Sequence, residues 1–250
     1  MSARVLTLSI IPSMGADGSD TLPGSTSVVV ATRDRPQLLK DLLSSLAACS
    51  PRPSEVIVVD DASASPAKAI VAEFGGCFRT RCIRNTRRSG PAASRNTAVH
   101  ASRGDYLLFT DDDCIVAQDW VARLVETMAS SDRLLGGVGG RVLARDRDVF
   151  SQYFEFHRVL EARPHDAQHP HRIPYLVTAN CAVHRDAFMR AGGFDEALDH
   201  PGGEDAALSM RMTRVGFHFE RAPSAVVRHR FRPGLRALAR MFYLYGYGGR

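Results

Sequence analysis

The sequence has almost no lysine. Only Lys40 and Lys68 occur among its 32 basic residues, so arginine carries nearly all of the positive charge. A guanidinium group is planar and donates paired hydrogen bonds, which suits recognition of phosphate or carboxylate groups. Codon bias would produce the same composition, so the scarcity of lysine does not by itself identify a ligand.

Long apolar runs are also missing. No segment approaches the roughly 18 apolar residues that a membrane-spanning helix needs. The apolar stretch at residues 5–11 is short for the core of a signal peptide and is soon followed by Pro12 and Gly15. We therefore expect residues 1–26 to form a disordered leader, and the protein to be cytoplasmic or peripheral to the inner face of the membrane.

The cysteines show no pairing or metal-binding pattern. There are five of them, an odd number, at spacings that match no zinc or redox motif. This favours free thiols in a reducing compartment. The four histidines between residues 146 and 173 likewise lack the spacing of a zinc site.

The basic character is confined to one end of the chain. The formal net charge is +5, but residues 211–250 hold nine arginines against one acid, Glu220, a net charge of +8. Residues 1–210 therefore carry a net charge of −3. Because the main body is acidic and contains no nucleic-acid-binding motif, we expect no nucleic-acid partner.

The first half of the sequence alternates between predicted strands and helices. Apolar runs at residues 27–31, 55–59 and 106–109 read as buried strands, and helical patterns follow Pro36 and cover residues 92–101. Continuous apolar strands separated by helices are typical of a parallel sheet that is covered on both faces. The length and the 44% hydrophobic content suffice for one large core.

Three of the predicted strands end in polar residues. These are Thr32 to Asp34, then Asp60 and Asp61, then Asp111 to Asp113. Open α/β sheets bind ligands at the carboxyl ends of their strands, so a shared site at this edge would account for all three. Adjacent carboxylates repel one another, and they need either a cation or open water.

A further acidic pair lies in the second half. After a predicted strand at residues 177–183 and a helix at 184–191, Glu204 and Asp205 follow two glycines and begin an amphipathic helix. Carboxylates are stabilised in the first turn of any helix, so their position alone does not demonstrate chemistry. Residues 146–173 are polar and irregular, and we expect them to face the acceptor of the reaction considered below.

Taken together, the ordered segments resemble the family 2 inverting glycosyltransferases. They are VVVATRDRPQLL, EVIVVDDAS, GPAASRNTAVHASRGDYLLFTDDD, GGFDE, GGEDAALSMR and the late His229. The resemblance implies an α/β, GT-A fold with a mostly parallel central sheet flanked by helices on both faces. Residues 27–115 would form the Rossmann-like nucleotide-binding half and residues 116–232 the acceptor-binding half, followed by a basic aromatic helix or tail at 233–250.

The resemblance also implies which residues bind the donor, a nucleotide-diphosphate sugar with uracil as the expected base. They are Thr32, Arg33, Asp34, Asp61, Arg95, Asp111, Asp112 and Arg211. Among these, Asp61 would hydrogen-bond the nucleotide base.

A divalent cation, Mn²⁺ or Mg²⁺, is implied as well. Asp111 and Asp113 are similar to the family's D-x-D pair, with Asp113 as the direct ligand, and an alternative register uses Asp112 and Asp113. His229 resembles a late metal ligand of some members. Mn²⁺ and Mg²⁺ prefer oxygen ligands, and Mn²⁺ accepts histidine more readily. A lone histidine is often structural, so the role of His229 stays open at this point.

The implied reaction is inverting transfer of the sugar to a hydroxyl group of a sugar, lipid-linked or small-molecule acceptor. Asp205 would be the general base and Glu204 its neighbour at the acceptor. An acceptor hydroxyl is a poor nucleophile at neutral pH, so a carboxylate within hydrogen-bond reach must take its proton.

Other functions compete with this interpretation. A nucleotidyltransferase also combines an α/β sheet with metal-binding aspartates, but it would usually have a glycine-rich phosphate loop where this chain has TRDRPQ. A non-catalytic module that binds a nucleotide sugar or nucleic acid is the other alternative, although every carboxylate role is filled. The segment 235–250 either contacts an anionic membrane or packs on the core or a partner chain.

Overall fold

A computed structural model describes residues 22, 24–129, 133–164, 167–198, 200–232 and 234–248, with side chains up to residue 243. The predicted leader lies outside the described residues apart from its last few positions, and the first strand begins at Thr26. Among the described helices, none combines the length and the apolar composition of a membrane span.

The first half is a parallel βα unit. Its elements are β1 (Thr26–Thr32), α1 (Pro36–Ala47), β2 (Glu55–Asp60), α2 (Lys68–Ala72), β3 (Arg79–Arg84), α3 (Gly90–Ala101) and β4 (Tyr106–Thr110). The strands pair in the order β3-β2-β1-β4, and all three pairings are parallel. The predicted alternation of strands and helices is confirmed.

The second half extends the same sheet with mixed pairing. Its elements are β5 (Cys114–Val116), α4 (Trp120–Ala129), β6 (Leu135–Ala144), α5 (Val149–His157), β7 (Arg172–Ile173), β8 (Asn180–His184), α6 (Arg185–Arg190), α7 (Glu204–Arg214), β9 (His218–His229) and α8 (Leu235–Gly248). The order continues β4-β8-β6-β9-β5, with β7 beside β9. The parallel pair β6–β9 has the longest register, so the mostly parallel α/β sheet is confirmed.

Apolar clusters cover both faces of the sheet. Val28 and Val30 of β1 lie in the cluster under α1 and α4, while Val29 lies in the cluster under α3, α6 and α7. Because side chains of a strand alternate between faces, a strand covered on both faces reads as an unbroken apolar run. Leu39, a fully buried residue of α1, contributes about 2 kcal/mol of stability by leaving water.

The structure corrects the prediction for residues 146–173, which contain helix α5. Asp148 caps this helix, and its Oδ1 accepts hydrogen bonds from the backbone N–H groups of Phe150 (3.0 Å) and Ser151 (3.1 Å). The sequence pattern concealed the helix because Val149 and Phe156 are apolar but exposed, so no clean apolar stripe exists.

The arginine-rich end of the chain forms α8. Leu238 and Met241 pack against the first apolar cluster, while Leu235, Phe242 and Tyr243 are exposed. Packing on the core is therefore observed for one side of the helix. Membrane contact through the exposed side, and the cytoplasmic location, stay predictions. All five cysteines are free thiols, as expected.

Candidate active site

The predicted polar strand ends meet at one edge of the sheet, and the space that they border is called the crevice. β1 lies between β2 and β4, and the chain order reverses at this point, which is where open α/β sheets bind ligands. The backbone N–H of Asp61 donates to the Thr32 carbonyl (2.9 Å), and Thr32 Oγ1 donates to Asp112 Oδ2 (2.7 Å). The loops after β1, β2 and β4 therefore meet.

Arg33 and Asp34 lie on the exposed rim of this crevice. Asp34 has a positive φ of 53°, and its Oδ1 accepts a hydrogen bond from the backbone N–H of Ala64 (2.6 Å). Its own N–H donates to Ser63 Oγ (3.0 Å). The loops after β1 and β2 are thus held together, while the Arg33 side chain remains accessible to a ligand.

Asp61 closes the N-terminus of α3. Its Oδ1 accepts hydrogen bonds from Ser89 N–H and Asn85 Nδ2 (both 2.8 Å), and its Oδ2 accepts one from Gly90 N–H (3.0 Å). Both carboxylate oxygens are thus occupied by the protein. The predicted contact of Asp61 with a nucleotide base stays a prediction.

Asp60, its neighbour, is buried inside the loop. Burial alone would raise the pKa of Asp60, but hydrogen bonds from Ser63 and Ala67, together with Arg84, hold it below its usual value. Its oxygens accept from Ser63 N–H (2.8 Å), Ala67 N–H (3.0 Å) and Arg84 Nη1 (2.8 Å). Asp60 therefore shapes the loop from within.

The three adjacent aspartates occupy three different environments, beginning with Asp112. Its side chain is 4% exposed, and its oxygens accept from Thr32 Oγ1 and from Arg35 Nη1 (both 2.7 Å). Burial raises the pKa of Asp112 to about 6, although the charge of Arg35 opposes the shift. The alternative register with Asp112 as a metal ligand would compete with both of these hydrogen bonds.

Arg35 is the residue of this region that sequence reasoning missed. Its Nη1 donates to Asp112 Oδ1 (2.7 Å) and to Asp113 Oδ2 (2.8 Å), and so one guanidinium bridges two of the aspartates. The signal was present, because Arg35 stands immediately before Pro36 in the same loop as Thr32. The repulsion between adjacent aspartates predicts either a cation or open water beside them, and Arg35 is such a cation.

Asp113 and His229 form the pair that suits a divalent cation. β5 pairs with the end of β9, Cys114 opposite His229, and Asp113 Oδ1 lies 3.1 Å from His229 Nε2 without hydrogen-bond geometry. Among the described residues, Asp113 Oδ1 and His229 Nδ1 have no hydrogen-bond partner. A buried carboxylate oxygen without a donor is costly, and a cation bound beside the imidazole would offset that cost.

The pKa shifts of Asp113 and His229 both reflect the attraction between the carboxylate and the imidazole. Burial raises the pKa of Asp113, but the nearby His229 outweighs it and holds the pKa below its usual value. Burial lowers the pKa of His229, but Asp113 outweighs it and holds that pKa above its usual value. The thiol of Cys114 lies within 4.8 Å of both ligand atoms, yet burial keeps it protonated, so thiolate ligation is disfavoured.

Arg95 joins the aspartate loop to α7. Its side chain is 6% exposed; Nη2 donates to Asp111 Oδ1 and Nη1 to Glu204 Oε1, each at 2.8 Å. Asp111 is the most open of the three aspartates, at 31% exposure. One buried guanidinium therefore brings together carboxylates from two distant parts of the chain.

Glu204 and Asp205 differ sharply despite being adjacent. Gly202 and Gly203 have φ values of 114° and 93°, which favour glycine, and they turn the chain into α7. Glu204 is buried and fixed, since Oε2 also accepts from Gly202 N–H (2.7 Å). Asp205 is partly exposed and accepts from the adjacent N–H of Ala206 (2.9 Å).

The surroundings make Asp205 more basic. Burial, and then the charge of Glu204, raise the pKa of Asp205 to about 6, whereas the Ala206 amide and Arg95 oppose the shift. At neutral pH the carboxylate is still mostly ionised. A group with these properties can accept a proton from a molecule in the crevice.

Arg211 lies apart from the aspartates. Its Nε donates to the carbonyl of Ala191 (3.2 Å) and its Nη2 donates to the carbonyl of Gly193. It therefore holds the end of α6 and the glycine loop that follows. Its predicted contact with a donor stays a prediction that these contacts do not support.

Comparison with known proteins identifies relatives. Residues 27–192 match the family described as Glycosyl transferase family 2. The chain is 30% identical over 215 residues to the pre-mycofactocin glycosyltransferase of Mycobacterium tuberculosis, covering 84% of this chain and 43% of that protein. It is 25% identical over 235 residues to polypeptide N-acetylgalactosaminyltransferase 3 of Drosophila melanogaster, covering 84% and 35%. The chain thus spans less than half the length of these relatives.

Two solved structures share the fold. One is the mannosyltransferase PcManGT from Pyrobaculum calidifontis in complex with GDP-Man and Mn²⁺, with a TM-score of 0.66 and 24% identity over 86% of this chain and 59% of that one. The other is GalNAc-T7 with UDP, GalNAc and Mn²⁺, with a TM-score of 0.70 and 21% identity over 85% and 45%. At this identity the likeness establishes the architecture.

Proposed function

Because the chain belongs to glycosyl transferase family 2 and has the GT-A fold, we propose that it transfers a sugar from a nucleotide-diphosphate sugar to an acceptor hydroxyl. The expected donor is UDP-linked, and the expected acceptor is a sugar, a lipid-linked molecule or a small molecule. The transfer inverts the anomeric centre.

The observation that carries the proposal is the double contact of Arg95. Asp111 follows β4, whereas Glu204 begins α7, and Arg95 hydrogen-bonds both. The predicted base, Asp205, is the next residue of that helix. This contact brings a carboxylate after β4 near the start of α7, and it supports the proposal because a two-substrate displacement needs the donor and the base close together.

The donor would lie across the ends of β1, β2 and β4. Thr32 and Asp61 border the crevice through their mutual backbone hydrogen bond, and Arg33 and Asp34 stand exposed at its rim. An accessible guanidinium at this position suits contact with a phosphate.

Asp113 and His229 would hold Mn²⁺ or Mg²⁺. The carboxylate oxygen without a donor and the adjacent imidazole supply oxygen and nitrogen ligands, and His229 must be neutral to bind. When bound, the ion would act as a Lewis acid that stabilises the charge on the departing diphosphate. Arg35 keeps the other oxygen of Asp113 engaged, which orients the carboxylate.

Asp205 supplies the base. The acceptor oxygen forms a bond to the anomeric carbon while its proton moves to the Asp205 carboxylate, and the bond from that carbon to the diphosphate oxygen breaks. Attack opposite the leaving group inverts the centre. General base catalysis of this kind contributes about 10² to 10⁴ in rate.

A donor screen tests the proposal. Nucleotide release from UDP-, GDP- and dTDP-linked sugars is measured with and without EDTA, for wild type and Asp113→Ala. We expect release with at least one donor, its loss in EDTA, its recovery with Mn²⁺ or Mg²⁺, and a weaker metal-dependent binding of the nucleotide in Asp113→Ala.

The matched control is Asp186→Asn. Asp186 is 77% exposed and follows β8 at the opposite edge of the sheet, so this variant should behave as wild type. An unchanged metal requirement in Asp113→Ala would remove the assigned ligand. If nucleotide release by the wild type is insensitive to EDTA, the proposed role of the metal is wrong.

A further inference from the structure

A pocket lies beside the crevice on the second half of the sheet. Gly139, Gly140 and Arg141 of β6, Arg221 of β9 and Tyr175 are among its lining residues. Gly140 pairs with Ala222, and Asn180, which also lines the pocket, pairs with Thr110 at the end of β4. The pocket is therefore at the sheet edge that carries the aspartates.

A β-bulge shapes this part of the sheet. The register between β6 and β9 shifts after Gly140, so that Arg141 pairs with Val226 while Gly140 pairs with Ala222. A bulge bends its strand and re-aims the side chains next to it. A Cβ at Gly140 would collide with the Asn180 side chain and the Ala225 carbonyl, so this close packing requires glycine.

The guanidinium groups of two pocket arginines have no partner in the part of the chain that the structure describes. Within the described residues, neither the Arg141 nor the Arg221 guanidinium makes a hydrogen bond or an ion pair, whereas Arg35 and Arg95 in the crevice are each bonded to two carboxylates. Glu161 is the acid among the lining residues, and its Oε1 is engaged by Val142 N–H (3.0 Å). Positive charge therefore exceeds negative charge in the pocket.

Tyr175 connects the pocket to the base. The next residue, Leu176, donates its backbone N–H to Ser209 Oγ (3.0 Å), and Ser209 Oγ donates to the backbone carbonyl of Asp205 (2.8 Å). Burial, and then the charge of Asp205, raise the pKa of Tyr175, in agreement with this proximity. Residues 160–162 also line the pocket, and they belong to the segment where acceptor contacts were expected. A molecule that fills the pocket would extend toward Asp205.

Resting on the proposed function, we propose that this pocket holds the acceptor and that the acceptor carries an anionic group, a carboxylate or a phosphate, recognised by Arg141 and Arg221. A planar guanidinium donates two parallel hydrogen bonds to either group. Neutral acceptors would leave both guanidinium groups without a partner.

The test compares matched probes by isothermal titration of the whole chain with UDP and Mn²⁺ present. The probes are methyl β-D-glucoside, methyl β-D-glucuronide and glucose 6-phosphate. We expect at least one anionic probe to bind about tenfold tighter than the neutral one, because charge-assisted hydrogen bonds are lost with the neutral probe. The carboxylate and phosphate arms show which anion is preferred.

In Arg141→Gln/Arg221→Gln this advantage should fall to about twofold or less. The matched control, Arg79→Gln/Arg103→Gln, removes two exposed arginines elsewhere and should keep the advantage. The single variant Arg141→Gln should have an intermediate effect, and it provides a test if the double variant does not fold. Thermal unfolding checks the fold of each variant.

Two results would overturn the inference: equal affinity of the wild type for neutral and anionic probes, or an anionic advantage that persists in Arg141→Gln/Arg221→Gln. The same titrations without UDP measure binding of the probes to the pocket independently of the donor. Failure to bind UDP with Mn²⁺ would instead count against the proposed function.

Discussion

The carboxylates at the end of β2 and the Asp205 carboxylate at the start of α7 are held in different ways. Asp60 and Asp61, at the end of β2, each accept three hydrogen bonds from the protein. The carboxylate of Asp205, at the start of α7, accepts from the adjacent amide of Ala206 and is also stabilised by the backbone of Thr178, yet burial and the charge of Glu204 raise its pKa to about 6. Residues of one type thus have different chemistry in the two halves.

The two regions differ because the protein provides different numbers of hydrogen-bond donors around each carboxylate. The loop after β2 turns back on itself, and the N-terminus of α3 faces it, so backbone N–H groups satisfy Asp61. At α7 the fixed carboxylate is Glu204, which takes the Arg95 guanidinium, whereas burial and then the charge of Glu204 raise the pKa of Asp205. Well-satisfied carboxylates favour rigid recognition, and poorly satisfied ones favour proton transfer.

Asp205→Asn should produce the largest effect. Asparagine has nearly the same shape but cannot accept the proton, so turnover should fall about 10² to 10⁴-fold. Binding of UDP with Mn²⁺, measured by isothermal titration, should stay within about twofold of wild type, because the group acts mainly in the transition state. Asp186→Asn is again the control. Full activity in Asp205→Asn would remove the assigned base.

Replacing Arg95 should loosen the connection between the halves. Arg95→Met leaves Glu204 buried without its guanidinium partner, and we expect a loss of about 3 to 5 kcal/mol in the free energy of unfolding, measured with urea. Arg95→Lys keeps the charge but cannot bridge Asp111 and Glu204 in the same forked geometry, so its loss should be smaller. Wild-type stability in Arg95→Met would show that the bridge is dispensable.

Asp61→Asn tests a carboxylate whose two oxygens both accept hydrogen bonds from the protein. One oxygen acceptor is replaced by an N–H donor facing the N-terminus of α3, so stability should fall by about 1 kcal/mol in urea unfolding. If Asp61 also contacts the base, UDP should bind more weakly while inorganic pyrophosphate with Mn²⁺ binds as before. Equal losses for both ligands would point to a disturbed loop and against a base contact.

The smallest expected effect is that of pH on turnover, which should change little near neutrality and fall in acid. The pKa of Asp205 is raised from 3.8 to about 6, and its ionised form is the base, so turnover should be half-maximal near pH 6. Below that it should fall about tenfold per pH unit, measured with saturating donor. The ionisable groups that interact with Asp205 include Glu204, Arg95, Tyr175 and the buried thiol of Cys181. A turnover that is flat from pH 5 to 8 would contradict the assignment.

The pH dependence of the unfolding free energy gives a second measurement of the Asp205 pKa, because folding and proton binding are linked. Because folding raises the pKa of Asp205, the folded state binds its proton more tightly than the unfolded chain does. This contribution to stability is therefore present below about pH 4 and is lost as the pH rises to about 6. Asp205→Asn should remove it, so the difference in unfolding free energy between the two proteins should change over that range.

Sequence reasoning predicted the arrangement of the strands better than the roles of single side chains. The apolar runs of β1, β2 and β4 indicated a doubly covered parallel sheet, and the edge rule then placed Thr32, Asp61 and Asp112 together. It did not separate the three adjacent aspartates, because the direction of each side chain depends on the turn after β4. Their partners are also remote: Thr32 is 80 positions from Asp112.

The sequence alone carries the periodic apolar pattern, the glycines that turn into α7 and the acids at the strand ends, since these depend on local geometry and on burial. Folding decides which acid is anchored, which lies beside an imidazole, and which has a raised pKa beside another acid. Those differences arise from contacts between residues far apart in the chain, such as Arg95 with Glu204 and Asp113 with His229. Coulomb and hydrogen-bond energies depend on distance in space, which position along the chain does not specify.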